Sequence, residues 1–150
     1  MNPIKNVRSI VIIDDDYDDF ELVYEAIQEI NPDIELHYVN NCDKAMEFRN
    51  SQVDLVLLDI NMPHHDGFYW LKCIRDKGYD LPIIMYTNSL SPSHIVRAYQ
   101  EGANLYFSKP ETFGNLIKGL KKLIQFDWSR PALVTGPYVE EGHYKVFQPD

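Results

Sequence analysis

The chain has 150 residues, which is enough for one domain with a hydrophobic core of its own. Its net charge of -9, from 14 basic and 23 acidic residues, argues against direct binding to nucleic acid or to anionic membranes, since both need a basic surface. Cys42 and Cys73 form no CxxC pair, so we expect reduced thiols. No apolar run is long enough to span a membrane, and residues 1–9 lack the apolar core of a secretory signal. We therefore expect a cytoplasmic protein.

Five short apolar runs alternate with five helical segments along the chain. The runs at 10–13 and 55–58 show no polar alternation, which is typical of strands buried on both faces of a parallel sheet. The predicted strands are 8–13, 34–39, 55–58, 81–86 and 104–108, and the predicted helices are 17–30, a segment from a cap at 41 or 43 to about 49, 66–77, 92–101 and 113–126. This alternation predicts an α/β fold with a doubly wound five-stranded parallel sheet and helices on both of its faces.

Reactive side chains follow four of the five predicted strands. Asp14 and Asp15 follow the first, Asp59 the third, Thr87 the fourth and Lys109 the fifth. Because parallel strands place their carboxyl ends on one edge of the sheet, we expect these groups to lie together. Three crowded carboxylates repel one another and raise their pKa values unless a cation relieves them, and all-oxygen ligands suit Mg²⁺.

This set of groups suits phosphoryl transfer to a carboxylate. An aspartate is a known nucleophile for forming an aspartyl-phosphate, and a metal ion with a lysine offsets the charge repulsion. Taken singly, the acidic turn at 14–16 is also explained as a solvated loop, Thr87 as a cap and Lys109 as a surface amine. The combination of all four strand ends favours the functional interpretation.

With this set of residues the sequence resembles the receiver domain of two-component response regulators, of the single-domain, chemotaxis-regulator-like kind. The resemblance rests on Asp14-Asp15, on Asp59 with Met62-Pro63 and Asp66-Gly67, on Thr87, and on Lys109-Pro110, and it covers about residues 8–126. It implies a flavodoxin-like sheet in the order 2-1-3-4-5. We therefore expect a receiver domain at 1–126 and a C-terminal extension at 127–150.

The resemblance also assigns roles around the predicted metal site. Asp59 is implied as the phosphoacceptor, which receives its phosphoryl group from a sensor histidine kinase or a phosphotransfer protein. Asp15, Asp59 and the Asn61 carbonyl are implied as Mg²⁺ ligands, with Asp14 assisting through water. The module would then be no enzyme beyond its own phosphorylation and dephosphorylation.

Three further roles come from the same resemblance. Thr87 and Lys109 would contact the phosphoryl oxygens, and Tyr106 occupies the position of the aromatic switch residue. Phosphorylation would draw Thr87 toward Asp59 and turn Tyr106 inward, so that the signal leaves through the face of the helix 92–101, the fifth strand and the last helix. A cis Lys109–Pro110 peptide bond is expected, since the family's turn aims the ammonium at the acidic site.

Two features depart from the family pattern. Asn88 follows Thr87 where the family usually has a small residue, which puts the dephosphorylation rate in doubt but leaves the acceptor role intact. The loop after Asp59 carries His64-His65, which we interpret as two solvated residues; binding of a transition metal or contact with a kinase is the alternative.

Two other functions use similar residues. A phosphatase of the haloacid dehalogenase type also uses an Asp nucleophile with Mg²⁺, but it needs an acid two residues later, where this chain has Asn61. A pseudo-receiver that works without phosphorylation usually lacks an acidic or lysine position, and none is lacking here. Only 24 residues follow Phe126, too few for a helix-turn-helix, so we expect the output to be contact with an unidentified downstream protein or relay to a phosphotransfer histidine.

The segment 127–150 is richer in apolar residues than a disordered terminus. Two β-prone runs, 138–139 and 144–147, flank a turn that contains Gly142, which predicts a short hairpin arm. An isolated hairpin is marginal in water and needs a surface. Because some single-domain receivers that are partners of photoreceptor kinases use such an arm in dimers, we expect an ordered arm that contributes to a homodimer.

Overall fold

The computed structural model describes residues 7–40, 53–63 and 65–149. Its strands are β1 (Ser9–Ile13), β2 (Glu35–Val39), β3 (Leu55–Leu58), β4 (Ile83–Thr87) and β5 (Leu105–Ser108). Its α-helices are α1 (Tyr17–Ile30), α2 (Gly67–Asp76), α3 (Pro92–Gln100), α4 (Phe113–Gln125) and α5 (Pro131–Thr135). The helix predicted before residue 49 lies outside the described residues, as do Cys42 and His64.

The five strands form one parallel sheet in the order β2-β1-β3-β4-β5, which confirms the predicted fold class and strand order. The apolar runs β1 and β3 lie side by side in the interior of the sheet and are buried along their whole length. Strand β2, with its alternating pattern, lies at the edge as predicted. Since Ile13 pairs with Leu58, the residues after β1 and after β3 emerge next to each other.

Two hydrophobic layers cover the two faces of the sheet. One layer joins α1 and α4 and includes Val23, Ile27 and Leu120, and the other joins α2 and α3 and includes Leu71 and Ala98. Each face is closed because the helices turn an apolar stripe of 3.6-residue period toward the sheet. No helix in the described part of the chain is long and apolar enough to cross a membrane.

Side chains at the helix starts hold the loops next to the sheet edge. Asp16 caps α1 by accepting a hydrogen bond from the N–H of Asp18, and Asp66 caps α2 by accepting one from Tyr69. Such caps satisfy backbone donors that the helix itself leaves free. The caps thereby fix the first turns of α1 and α2 next to the loops that follow β1 and β3.

The C-terminal segment folds onto the domain in a form that differs from the predicted hairpin. It forms α5 and two 3-10 turns at Gly136–Tyr138 and Glu140–Gly142. Phe147 then makes a parallel bridge with Phe107 of β5. The hairpin prediction was wrong because burial on the domain's own core outweighs pairing between two short exposed strands: Trp128, Val134 and Phe147 all belong to the core layer of α1 and α4.

Candidate functional site

Asp59 is the first residue after β3, and its carboxylate is buried, with 5 % of the residue exposed. Its N–H donates a hydrogen bond to the Ile13 carbonyl at 3.0 Å, which ties this residue to the end of β1. One carboxylate oxygen, Oδ1, is buried and has no hydrogen-bond partner among the described residues. Burial raises the pKa of Asp59, and the positive charge of Lys109 acts in the opposite direction.

Two more carboxylates lie beside Asp59, as the sequence predicted. One oxygen each from Asp14, Asp15 and Asp59 lies within 4.8 Å of the others. Asp14 is fully buried, and burial raises its pKa to about 6, although its hydrogen bond from the Asp16 N–H at 2.9 Å favours the ionised form. Asp15 is exposed and faces solvent at the edge of the cluster.

This donor set fits a hard divalent cation. All three groups offer oxygen, and the unpartnered Oδ1 of Asp59 is an acceptor that the described protein groups leave unused. Asp15 leaves the site open to solvent, which suits Mg²⁺ because that ion keeps several waters. Asn61 lies exposed two residues after Asp59. The role of its carbonyl as a Mg²⁺ ligand stays a prediction.

Lys109 supplies the positive charge of the cluster. Its buried ammonium lies 2.9 Å from Asp14 Oδ2, 2.6 Å from Asp19 Oδ2 and 3.6 Å from Asp59 Oδ2. Burial by itself lowers the pKa of Lys109, but the hydrogen bond to Asp19 and the charges of Asp14 and Asp59 outweigh it and raise that pKa. The lysine is therefore a permanent cation at neutral pH.

Asp19, in the first turn of α1, belongs to the site although the sequence did not single it out. The structure brings its carboxylate to the lysine, across 90 positions of sequence. The sequence feature that points to this region is the high proportion of acidic residues at 14–19, where five of six residues are aspartate. That signal does not distinguish Asp19 from its exposed neighbour Asp18.

The Lys109–Pro110 bond was expected to be cis, and this prediction was wrong. No peptide bond among the described residues is cis. The trans form is the intrinsically favoured one by about 0.5–1 kcal/mol. The Lys109 ammonium reaches the carboxylates from this trans backbone, so the turn needs no other isomer.

Thr87 and Tyr106 lie on neighbouring strands next to this cluster. Thr87 is the last residue of β4 and is fully buried, and its Oγ1 accepts a hydrogen bond from the Ser89 N–H at 3.4 Å. The ring of Tyr106, on β5, is also fully buried, and its hydroxyl donates a hydrogen bond to the Ser89 carbonyl at 2.8 Å. This is the inward orientation that the sequence analysis associated with the signalling state.

Gly67 controls how closely α2 approaches the acceptor. Its N–H donates to the Ile60 carbonyl at 2.9 Å, and a Cβ atom at this position would lie 2.2 Å from the Asp59 carbonyl oxygen. Only glycine allows this approach without movement of backbone atoms. The Asp66-Gly67 motif thus sets the position of the Asp59 backbone, a role that the sequence alone did not reveal.

Asn88 and His65, which belong to the two departures from the family pattern, lie on the surface. Asn88 is exposed immediately after Thr87, at the rim of the site. His65 is exposed and stacks on Tyr69 with 3.9 Å between ring centroids. In the described part of the chain, the one group of three or more candidate metal ligands is the aspartate cluster, so His65 is a surface residue packed on an aromatic ring.

Comparison with known proteins agrees with this geometry. A family model described as the response regulator receiver domain matches residues 10–121. The chain belongs to this family. The receiver domain is also 31% identical over 117 residues to the sensory transduction protein BceR of Halalkalibacterium halodurans, which covers 77% of this chain and 49% of that protein. The chain thus spans about half the length of this curated relative.

Two solved structures extend the comparison. The phosphorylated cyanobacterial phytochrome response regulator RcpA is 25% identical, with a TM-score of 0.72 over 82% of this chain and 95% of that one. The Mn²⁺-bound form of the response regulator Rcp1 is 26% identical, with a TM-score of 0.68 over 79% of this chain and 93% of that one. The protein is therefore a receiver domain of the kind found in response regulators of two-component signalling.

Proposed function

We propose that this receiver domain accepts a phosphoryl group on Asp59 from a sensor histidine kinase or a phosphotransfer protein, in a Mg²⁺-dependent reaction. The observation that carries the proposal is the unpartnered, buried Oδ1 of Asp59, which lies in a cluster with Asp14 and Asp15 and faces the Lys109 cation. Buried polar atoms in proteins normally have a hydrogen-bond partner. A buried acceptor without one is therefore unexpected for a purely structural ion pair and is explained by a ligand that binds there. A similarity to the phosphorylated RcpA supports the same chemistry.

In the transfer step, an oxygen of the ionised Asp59 forms a bond to phosphorus. The bond from phosphorus to the donor's histidine nitrogen breaks, and its electron pair stays on the imidazole. Both reactants are anionic, so the ammonium of Lys109 offsets their repulsion and binds an oxygen of the transferred group. Thr87, buried at the end of β4, donates its hydroxyl to another of these oxygens.

Asp14, Asp15, Asp59 and the Asn61 carbonyl would hold the Mg²⁺ ion, with Asp14 acting through water. The bound ion supplies charge neutralisation for the phosphoryl oxygens and an orienting template for the acceptor. The oxygen-only donor set supports this choice of metal, and the related Rcp1 was solved with Mn²⁺ bound. Mg²⁺ and Mn²⁺ prefer the same class of oxygen ligands.

The output surface is proposed to be the face of α3, β5 and α4, together with the C-terminal segment that covers it. Tyr99 of α3 donates its hydroxyl hydrogen to the Lys145 carbonyl at 2.6 Å and accepts the Tyr106 N–H at 3.2 Å. The Phe147 N–H donates to the Tyr106 carbonyl at 2.7 Å. The backbone of Tyr106 is therefore linked to the tail directly through Phe147 and indirectly through Tyr99, so a shift between two packings of Tyr106 would reach the tail.

The partners on this surface are proposed to be proteins. The net charge of -9 disfavours DNA and anionic membranes as targets.

We also propose a homodimer that involves the tail, where Leu133 of α5 is an apolar residue with 67 % of its surface exposed. Sedimentation of the full chain, with and without beryllofluoride, checks this, and Leu133→Ser should lower the dimer fraction.

The test of the acceptor is uptake of labelled phosphate from acetyl phosphate in the presence of Mg²⁺. Wild type should form a hydroxylamine-sensitive acyl phosphate, and Asp59→Asn should form none. Asp76→Asn is the matched control, because Asp76 lies exposed at the end of α2, where it forms a surface ion pair with Lys72 at 3.4 Å. Equal uptake by Asp59→Asn and wild type would show that another residue is the acceptor.

The two alternatives make different predictions in the same assays. A phosphatase would turn over small phosphate esters many times, but Asn61 offers no carboxyl group as a general acid at the position where such enzymes need one. A pseudo-receiver would bind its partner equally well with and without beryllofluoride. The buried carboxylate cluster with its lysine favours the phosphorylated module over both.

A further inference from the structure

Asp19 makes the shortest contact of the Lys109 ammonium. The distance to Asp19 Oδ2 is 2.6 Å, shorter than the 2.9 Å to Asp14 and the 3.6 Å to Asp59. The Asp19 side chain is mostly shielded from solvent, with 19% exposed, so the pair is not a mobile surface contact. Charge-assisted hydrogen bonds of this length are among the stronger polar contacts in proteins.

The geometry around the ammonium leaves one donor free for the acceptor. A lysine ammonium has three N–H donors. Asp14 and Asp19 each lie at hydrogen-bond distance, whereas Asp59 Oδ2 at 3.6 Å lies beyond it. The ring of Tyr86 closes another side, with its centroid 5.5 Å from Nζ. The cation therefore faces Asp59 without forming a direct hydrogen bond with it.

The loop between β1 and α1 fixes the two anchoring carboxylates relative to each other. Asp14 Oδ1 accepts the Asp16 N–H at 2.9 Å, and the Asp16 carbonyl accepts the Asp19 N–H at 3.1 Å. Asp16 also caps α1 through the Asp18 N–H. These hydrogen bonds hold Asp14 and Asp19 in a fixed relation to each other, and the ammonium of Lys109 binds both carboxylates.

We propose that Asp19 is a positioning residue for phosphorylation: it holds the Lys109 ammonium back from Asp59, so that no direct hydrogen bond from the ammonium occupies the nucleophilic carboxylate while the cation remains close. The proposal rests on the function assigned to Asp59 above. Without the Asp19 carboxylate, the released donor turns to the nearest remaining acceptors, which include Asp59 Oδ2 at 3.6 Å. A direct pair would occupy the nucleophile and the position that a phosphoryl oxygen needs.

The expected effect is a slower phosphoryl uptake. A displacement of reacting groups by about 1 Å costs roughly 100-fold in rate in well-oriented sites, so we expect a loss of about 10- to 100-fold for Asp19→Asn. The Mg²⁺ concentration for half-maximal uptake should stay unchanged, because Asp19 does not belong to the three-carboxylate cluster. A merely structural role would not separate these two quantities.

The experiment compares full-length wild type, Asp19→Asn, Asp19→Glu and Asp18→Asn. Asp18 is the matched control, since it removes the same charge from the same turn of α1 but is exposed. Uptake from acetyl phosphate with Mg²⁺ is measured for each protein, with urea unfolding as the check of folding. The side-chain ammonium signal of Lys109 in ¹H–¹⁵N spectra reports on its pairing directly.

Asp19→Asn should be slow with a shifted Lys109 signal, Asp19→Glu should recover most of the rate, and Asp18→Asn should stay within about twofold of wild type. Uptake by Asp19→Asn equal to that of Asp18→Asn would overturn the inference, and so would a failure of Asp19→Glu to restore any rate. Wild type without uptake at Asp59 would overturn the proposed function itself, which is a distinct result.

Discussion

Replacement of Gly67 by alanine tests whether the close approach of α2 positions the acceptor. The added Cβ would lie 2.2 Å from the Asp59 carbonyl oxygen and 2.9 Å from both the Asp59 carbonyl carbon and Ile60 Cα. Unstrained carbon–oxygen contacts are about 3.3 Å or longer. The start of α2 must therefore retreat from the end of β3 by roughly 1 Å.

The atoms in the way are backbone atoms, which no rotamer change can move aside. Overpacking of this kind typically costs about 1–3 kcal/mol, and we expect the upper end of that range. For a chain of this length, each kcal/mol lowers the melting temperature by about 2–4 °C, so Gly67→Ala should melt about 6–12 °C lower. Because Asp59 moves with its carbonyl, uptake of phosphate from acetyl phosphate should fall by at least about tenfold.

Gly114→Ala is the matched control for this prediction. Gly114 is the second residue of α4, with nothing within 4 Å of its Cβ position, so the added methyl meets open space. There the substitution should stabilise the protein slightly, by about 0.4–1 kcal/mol, and leave uptake unchanged. If Gly67→Ala has the same melting temperature as Gly114→Ala and takes up phosphate at the wild-type rate, then the contact between α2 and Asp59 does not constrain the site.

Three further predictions address charge, the buried guanidinium and the tail. Because burial raises the pKa of Asp14 to about 6, from about 3.8 in the unfolded chain, the native state binds this proton more tightly: the resulting stability is complete below about pH 4 and is lost as pH rises through 6. The loss is about 3 kcal/mol, and Asp14→Asn in EDTA should flatten this part of the pH profile in urea unfolding, whereas an unchanged slope would contradict the assignment. Arg75→Lys should lower the free energy of unfolding by about 3 kcal/mol, because an ammonium cannot span the acceptors that the guanidinium binds. These acceptors are the carbonyls of Tyr79, Leu81 and Gly102 and Asn104 Oδ1. A change below about 0.5 kcal/mol would show that water replaces these bonds. Phe147→Ala should lower the free energy of unfolding by about 3–5 kcal/mol, while the exposed neighbour Gln148→Ala should not, and equal stabilities would mean that the tail does not contribute to the core.

The sequence alone determined the sheet and most of the acidic site. Continuous apolar runs such as 10–13 and 55–58 belong to strands buried on both faces, and such strands are parallel and central. Once the strands are parallel, their carboxyl ends share one edge. The placement of Asp14 next to Asp59 then follows from local pattern and chain topology, without knowledge of any distance.

The tertiary structure alone decided the features that depend on contacts between distant segments. Nothing local distinguishes Asp19 from Asp18; the choice follows from the way α1 packs beside the β5 loop, which brings Lys109 to within 2.6 Å of Asp19. In the same way, the run 144–147 has the pattern of a hairpin strand, but Phe147 is buried against Phe107 and Phe126 instead. Local propensity in such a segment is worth tenths of a kcal/mol per residue, whereas burial of one aromatic side chain on an existing core is worth several times more. The fold of the tail and the partner of the lysine were therefore decided by packing, which the linear sequence does not display.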